Sequence, residues 1–165
     1  MPGMERFMKL AINDDEKKIL KTAAEELIAW GENEMAKRIG AEYLDEAAGE
    51  FRRGELEKTS PQNSITSAAL FAATGAGRRL WYRLMNSSED IVIDEYDVPV
   101  ISQAIFYAIS KERIAARADR YVHIMKATDS GSVITDKERK KWKRKYITDF
   151  KPLAKIGFHL AMKLQ

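Results

Sequence analysis

Cysteine is absent from these 165 residues, and histidine occurs only twice, as His123 and His159. The first absence excludes disulfide frameworks, thiolate zinc sites, iron–sulfur clusters and cysteine nucleophiles. The second leaves almost no imidazole for acid–base or metal chemistry. Proline (four) and glycine (nine) are too few for a repetitive or low-complexity chain. Long apolar runs are missing as well. The longest stretch without charge, Thr59 to Gly77, is broken up by Ser60, Pro61, Gln62, Asn63, Ser64 and Thr66, which is too polar for a membrane span. Residues 1–12 carry Glu5, Arg6 and Lys9, which leaves no room for a signal-peptide apolar region. The expectation is one soluble, cytoplasmic domain without a membrane partner, spanning 1–165. A chain of this size buries about two-thirds of its unfolded surface and needs no staple.

What is present is helical periodicity. Asn13 to Asp15 offer cap chemistry, and Leu20, Ala23, Ala24, Leu27, Ile28 and Gly31 follow at three- and four-residue spacing, which predicts an amphipathic helix. The pattern extends through Tyr43, Leu44 and Phe51 to define an N-terminal segment, 13–57, of two helices or one bent helix. Thr59 to Ser64 reads as a linker around Ser60-Pro61. The central segment, 64–128, begins with a stretch rich in small residues, Ala68, Ala69, Ala72 and Ala73, suited to close helix contact; Gly75-Ala76-Gly77 is expected to bend or break it. Ile91-Val92-Ile93 is a β-branched run too short for a helix, and Ser132 to Thr135 is its expected mate in a small two-stranded sheet. Between them, one helix is expected from Pro99 to Thr128. Asp136 is expected to cap a basic C-terminal helical hairpin, 136–165, whose second helix starts at Pro152. The fold class is therefore all-α, a bundle of about six helices with a minor β element.

Charge is unevenly spread. Residues 137–165 hold ten basic and two acidic side chains, a net of +8, against −5 for residues 1–136. Seven of the nine residues from Lys137 to Lys145 are cationic, namely Lys137, Arg139, Lys140, Lys141, Lys143, Arg144 and Lys145, with Trp142 and Tyr146 one turn apart. Such density favours an anionic partner, because cations bind phosphates by releasing counterions and aromatics can stack on bases. The competing reading makes Trp142, Tyr146 and Phe150 an inward stripe and the cations a solvated face. The resulting expectation is a non-enzymatic binding or assembly protein that engages nucleic acid or an acidic protein surface, with homo-oligomerisation an open alternative. By analogy alone, small cysteine-free helical chains of this kind are common among viral and mobile-element accessory proteins, which would place it in a host cytoplasm or a virion.

A second constellation is Arg117-Ala-Asp-Arg-Tyr-Val-His123. It resembles the R-x(4–6)-H signature of the HEPN family of all-α ribonucleases. The resemblance implies a dimer cleft in which Arg117 stabilises the phosphate and His123 acts as the acid–base group. It departs from the family at Ala118, where a polar residue is usual.

Other patterns are weaker. Ile91-Val-Ile-Asp-Glu95 looks like a Walker B strand, but no phosphate loop of matching spacing accompanies it; Gly75 to Gly77 beside Arg78 and Arg79 offers amides for one phosphate at most. Glu42, Asp45, Glu46 and Glu50 share a helical side, yet no Glu stands three residues before either histidine, so no di-metal site and no cofactor is expected.

Overall fold

In the computed structural model, residues 7–48, 67–86, 90–128 and 135–165 are described, the side chains of 38–48, 67 and 126–128 excepted. They form β1 (Phe7–Ala11), α1 (Asp14–Ala48), α2 (Ser67–Asn86), β2 (Asp90–Asp94), α3 (Val98–Ala108), α4 (Lys111–Thr128) and α5 (Asp136–Lys163). This is an all-α bundle with a minor β element, of five helices among the described residues. The end of the N-terminal segment near Glu57, the linker at 59–64 and the side chains of Glu42, Asp45, Glu46 and Glu50 lie outside them. No helix among the described residues is long and apolar enough to cross a membrane.

The entry into α1 is a reciprocal capping box. The Glu16 amide donates to Asn13 Oδ1 at 2.8 Å, and the Asn13 amide donates to Glu16 Oε1 at 3.2 Å, so two otherwise unpaired amides are satisfied. Asp14, Asp15 and Glu16 add negative charge at the positive end of the helix dipole. The inner stripe of α1, Ile19, Leu20, Ala23, Ala24 and Leu27, is buried against α2, α3 and α5.

α2 runs unbroken through Gly75 and Gly77, contrary to the expected bend. Tertiary contact outweighs the local helix cost of about 1 kcal/mol per glycine. The small residues at this seam let α1 and α2 approach closely: a Cβ at Gly31 would stand 2.0 Å from Thr74 Oγ1 and 2.9 Å from its Cβ. The Thr74 hydroxyl, itself buried, donates to the Leu70 carbonyl at 2.8 Å.

The strand at 91–93 exists, and among the described residues its mate is β1, which the sequence pattern did not single out; of the expected mate, 132–134 lie outside the described residues. β1 and β2 pair antiparallel, with Met8 opposite Ile93 and Leu10 opposite Ile91. Leu10, Ile91 and Ile93 face the core while Phe7, Lys9 and Val92 face out, the two-residue alternation of a half-buried strand. The alternation is legible in Phe7-Met-Lys-Leu-Ala11 once a partner is known.

The single helix expected from Pro99 to Thr128 is two, α3 and α4, divided at Ile109-Ser110. Ser110 serves both ends: its hydroxyl donates to the Tyr107 carbonyl at 2.7 Å and accepts the Arg113 amide at 3.4 Å. At the other end of α3, Asp97 stands at the N-cap without a side-chain cap bond. Its buried carboxylate instead accepts both Arg79 donors, at 2.8 and 2.9 Å. That pairing holds the Arg79 guanidinium above its ordinary range, chiefly through the hydrogen bond.

The largest departure is at the C-terminus. The expected hairpin is one helix of 28 residues, α5, with Pro152 inside it. The cap is Thr135, whose hydroxyl accepts the Glu138 amide at 3.2 Å, and not Asp136. A proline in a helix interior costs about 3 kcal/mol, through the lost bond to the carbonyl four residues back and through ring contact. Thr148 and Pro152 are both exposed, so the missing bond lies on the solvent side of the helix. On the opposite side, Phe150, Gly157, Leu160 and Ala161 are buried. Each large apolar side chain so buried contributes about 1.5–3 kcal/mol, which offsets the proline. Gly157 marks the crossing, where a Cβ would meet Ile19 Cγ1 at 2.8 Å and Ile109 Cγ2 at 3.0 Å. Beside it, the buried Ser102 hydroxyl donates to the Ala161 carbonyl at 2.9 Å and ties α3 to α5.

Gly31→Ala is expected to lower unfolding stability by about 1–3 kcal/mol in urea titration, despite the gain in helix propensity. Thr74→Ala in the same chain should recover part of the loss, since the contact at 2.0 Å disappears while the one to Cβ stays.

Candidate functional site

Helical spacing sorts the basic segment into two sides. At about 100° per residue, Lys137, Lys140, Lys141, Arg144 and Lys145 fall on one face of α5, and all five are exposed. They line an open groove of about 550 Å³ together with Thr148 and Asp149. None of the five has an ion-pair partner among the described residues. The other three members of the expected set are placed differently. Lys143 is half-buried and pairs with Asp119 of α4 at 2.9 Å. Trp142 is half-buried on the inner side, and Arg139 is exposed at the start of the helix, away from the shared face.

The aromatic stripe is inward, as the competing reading had it. Tyr146 lies 5.5 Å from Tyr121 and 6.2 Å from Phe150 between ring centroids, the latter pair within 9° of parallel. Phe150 is buried and carries the Arg117 guanidinium over its ring at 4.8 Å.

Because α5 does not break at Pro152, its cationic face continues. Lys151 and Lys155 are exposed and fall in line with Lys137, Lys140, Lys141 and Arg144. Lys137 to Lys155 thus forms a row about 27 Å long at 1.5 Å rise per residue. Sequence reasoning missed the last two lysines because it placed them in a second helix with an unrelated orientation. Their spacing from Lys137, at 14 and 18 residues, was the available signal.

Arg117 and His123 are not brought together. They stand about 120° apart around α4. His123 is exposed. Arg117 points inward: its side chain is 11% exposed, Nη2 donates to the Ala108 carbonyl, and Nη1 lies 3.7 Å from Glu26 Oε2. Glu26, only 4% exposed, also accepts both donors of Arg113. This hydrogen-bonded pairing raises the Arg113 guanidinium above its usual range, against the opposing effect of burial. Two arginines on one carboxylate leave an excess positive charge inside the α1–α4–α5 junction, partly answered by the Phe150 and Tyr107 ring faces.

The remaining motifs are absorbed into structure. Arg78 pairs with Glu32 at 3.3 Å and Arg79 with Asp97, and Gly75 and Gly77 are inside α2. Asp94 accepts the Tyr96 amide at 2.9 Å in the turn after β2.

No family model, curated protein or solved structure matches this chain.

Removing the shared carboxylate strands two cations, whereas removing Arg117 leaves Glu26 still paired with Arg113. Glu26→Ala should therefore cost about 3–5 kcal/mol of unfolding free energy and Arg117→Met clearly less, by urea titration of both variants. Equal losses would contradict the shared-carboxylate arrangement.

Proposed function

We propose that this chain is a non-enzymatic nucleic-acid-binding protein that holds a phosphate backbone along the outer face of α5. The observation that supports it is the row itself: seven cations from Lys137 to Lys155, without ion-pair partners among the described residues, share one exposed face of an unbroken helix. Concentrated on one face, they can each release a condensed counterion from the same polyanion. Phosphate contacts give affinity and orientation, and carry no sequence preference by themselves.

The RNA-cleaving alternative finds less support in the geometry. Arg117 is held by Glu26 and Ala108, and His123 faces another direction on α4. An acidic protein surface is the remaining competitor for the same row. It differs in what it offers, since a folded protein presents scattered carboxylates while a nucleic acid presents an even line of charge.

Titration of the purified protein against labelled single-stranded RNA and duplex DNA should give salt-sensitive binding without strand cleavage. With seven contacts, affinity is expected to fall about 10³- to 10⁴-fold between 50 and 200 mM salt. Reversing Lys140, Lys141, Arg144 and Lys145 to Glu should abolish binding. Lys151→Ala with Lys155→Ala should weaken binding and reduce the log–log salt slope by roughly 1.5. Binding unchanged by the charge reversal would defeat the reading, and no binding to either nucleic acid would turn attention to an acidic protein.

A further inference from the structure

On the inner edge of the same helix lies a second groove of different chemistry. It has a volume of about 440 Å³ and runs between α1, α4 and α5. Its apolar lining is Tyr121, Tyr146, Phe150 and Leu153, and its far lip carries the exposed Lys18 and Lys21 of α1. Asp149 borders both this groove and the cationic one, so the two open on either side of a single helical turn.

Two features select what this groove can take. First, the rings form a ready platform, Tyr121 against Tyr146 and Tyr146 parallel to Phe150, and an aromatic heterocycle adds to such a series by offset stacking. Second, Glu25 and Asp149 stand in the lining. Carboxylates repel a phosphate but accept hydrogen bonds from the ring N–H and amino groups of a base. Cations on both lips with rings and acceptors between them match the way single strands are held without sequence readout, with backbone charge outside and bases stacked within. A duplex keeps its bases paired and stacked, and cannot use the groove.

We infer that this groove receives one unstacked base of a single-stranded nucleic acid whose phosphates lie on the α5 row and on Lys18 and Lys21. The inference rests on the nucleic-acid reading of α5 and adds the strand class and the base site. Tyr121 and Tyr146 are its stacking residues.

The test uses 12-nucleotide RNA and DNA strands, each carrying a single 2-aminopurine scanned along the strand. Stacking on a tyrosine quenches this base, whereas phosphate contact alone does not. The expected result is quenching at one position or a few upon binding by the intact chain, with RNA, DNA or both. Tyr121→Leu and Tyr146→Leu keep apolar volume and remove the flat face. Each should lose the quenching and weaken single-strand binding about five- to 150-fold, with the salt slope and duplex affinity unchanged. Because the wild-type quenching needs no variant, and Tyr121→Leu leaves the Tyr146–Phe150 contact in place, a poorly folding Tyr146→Leu does not decide the matter. Salt-sensitive binding with no quenching at any position, or with Tyr121→Leu indistinguishable from wild type, overturns the base site while leaving the α5 row standing. Failure of every strand to bind at low salt overturns both.

Discussion

The seating of α5 on α1 and α3 is the contact on which the rest of this molecule depends. Gly157 lets the helix axis close on Ile19 and Ile109 at distances that a single Cβ would violate. Ser102 fixes its position along the axis by donating to the Ala161 carbonyl. With the C-terminal half so anchored, the N-terminal half continues through Pro152 as the same helix, because Phe150 is buried on the near side of the proline and Leu160 and Ala161 on the far side. A turn at Pro152 would leave one of these groups without its place in the core. An exposed proline costs less than the burial it would disrupt.

Everything displayed outward follows from that continuity. A helix pinned along one stripe has no freedom to rotate, so the positions opposite the stripe are held outward. The cations of the basic segment are divided by this constraint and not by their local sequence. Lys143 faces α4 and finds Asp119, while Lys140, Lys141 and Arg144 a few residues away face solvent with no such partner among the described residues. The inner arginines are divided in the same manner. Arg113 and Arg117 converge on Glu26 because α1 brings a carboxylate to the junction, and the ring faces of Tyr107 and Phe150 cover the excess charge. Positive charge thus has two roles in one small protein. In the α1–α4–α5 junction it is paired and structural; on the outer face of α5 it has no ion-pair partner among the described residues.

Much of the architecture was legible in the chain. The cap chemistry at Asn13, the inner stripe of α1 and the inward stripe of Tyr146 and Phe150 emerge from spacing alone, since each records a local preference that the tertiary fold also satisfies. Of the small residues expected to make close helix contact, Ala68, Ala69 and Ala72 are exposed and Ala73 is half-buried, and the close approach falls at Thr74 and Gly77 instead. The errors have a common cause. Gly75, Gly77 and Pro152 are strong local signals for a break, and in each case packing on both sides of the signal outweighs about 1–3 kcal/mol of local preference. Ser110 is the reverse: a residue with a weak signal that ends one helix and begins the next through a single hydroxyl. β1 was not picked out as a mate of β2 because short strands carry little information about their partners, and it lies about 80 residues away from β2 in the chain.

By itself, then, the sequence determined helical class, the absence of thiol chemistry and the concentration of positive charge near the C-terminus, because composition and periodicity are properties of the chain. Which cations are paired, which share a face, and that the row extends to Lys155 were decided only in three dimensions. So was the inward turn of Arg117 away from His123, since a carboxylate from α1 competes for it across the core. Those outcomes depend on which groups meet across helices distant in sequence, and periodicity within one helix carries no record of its neighbour.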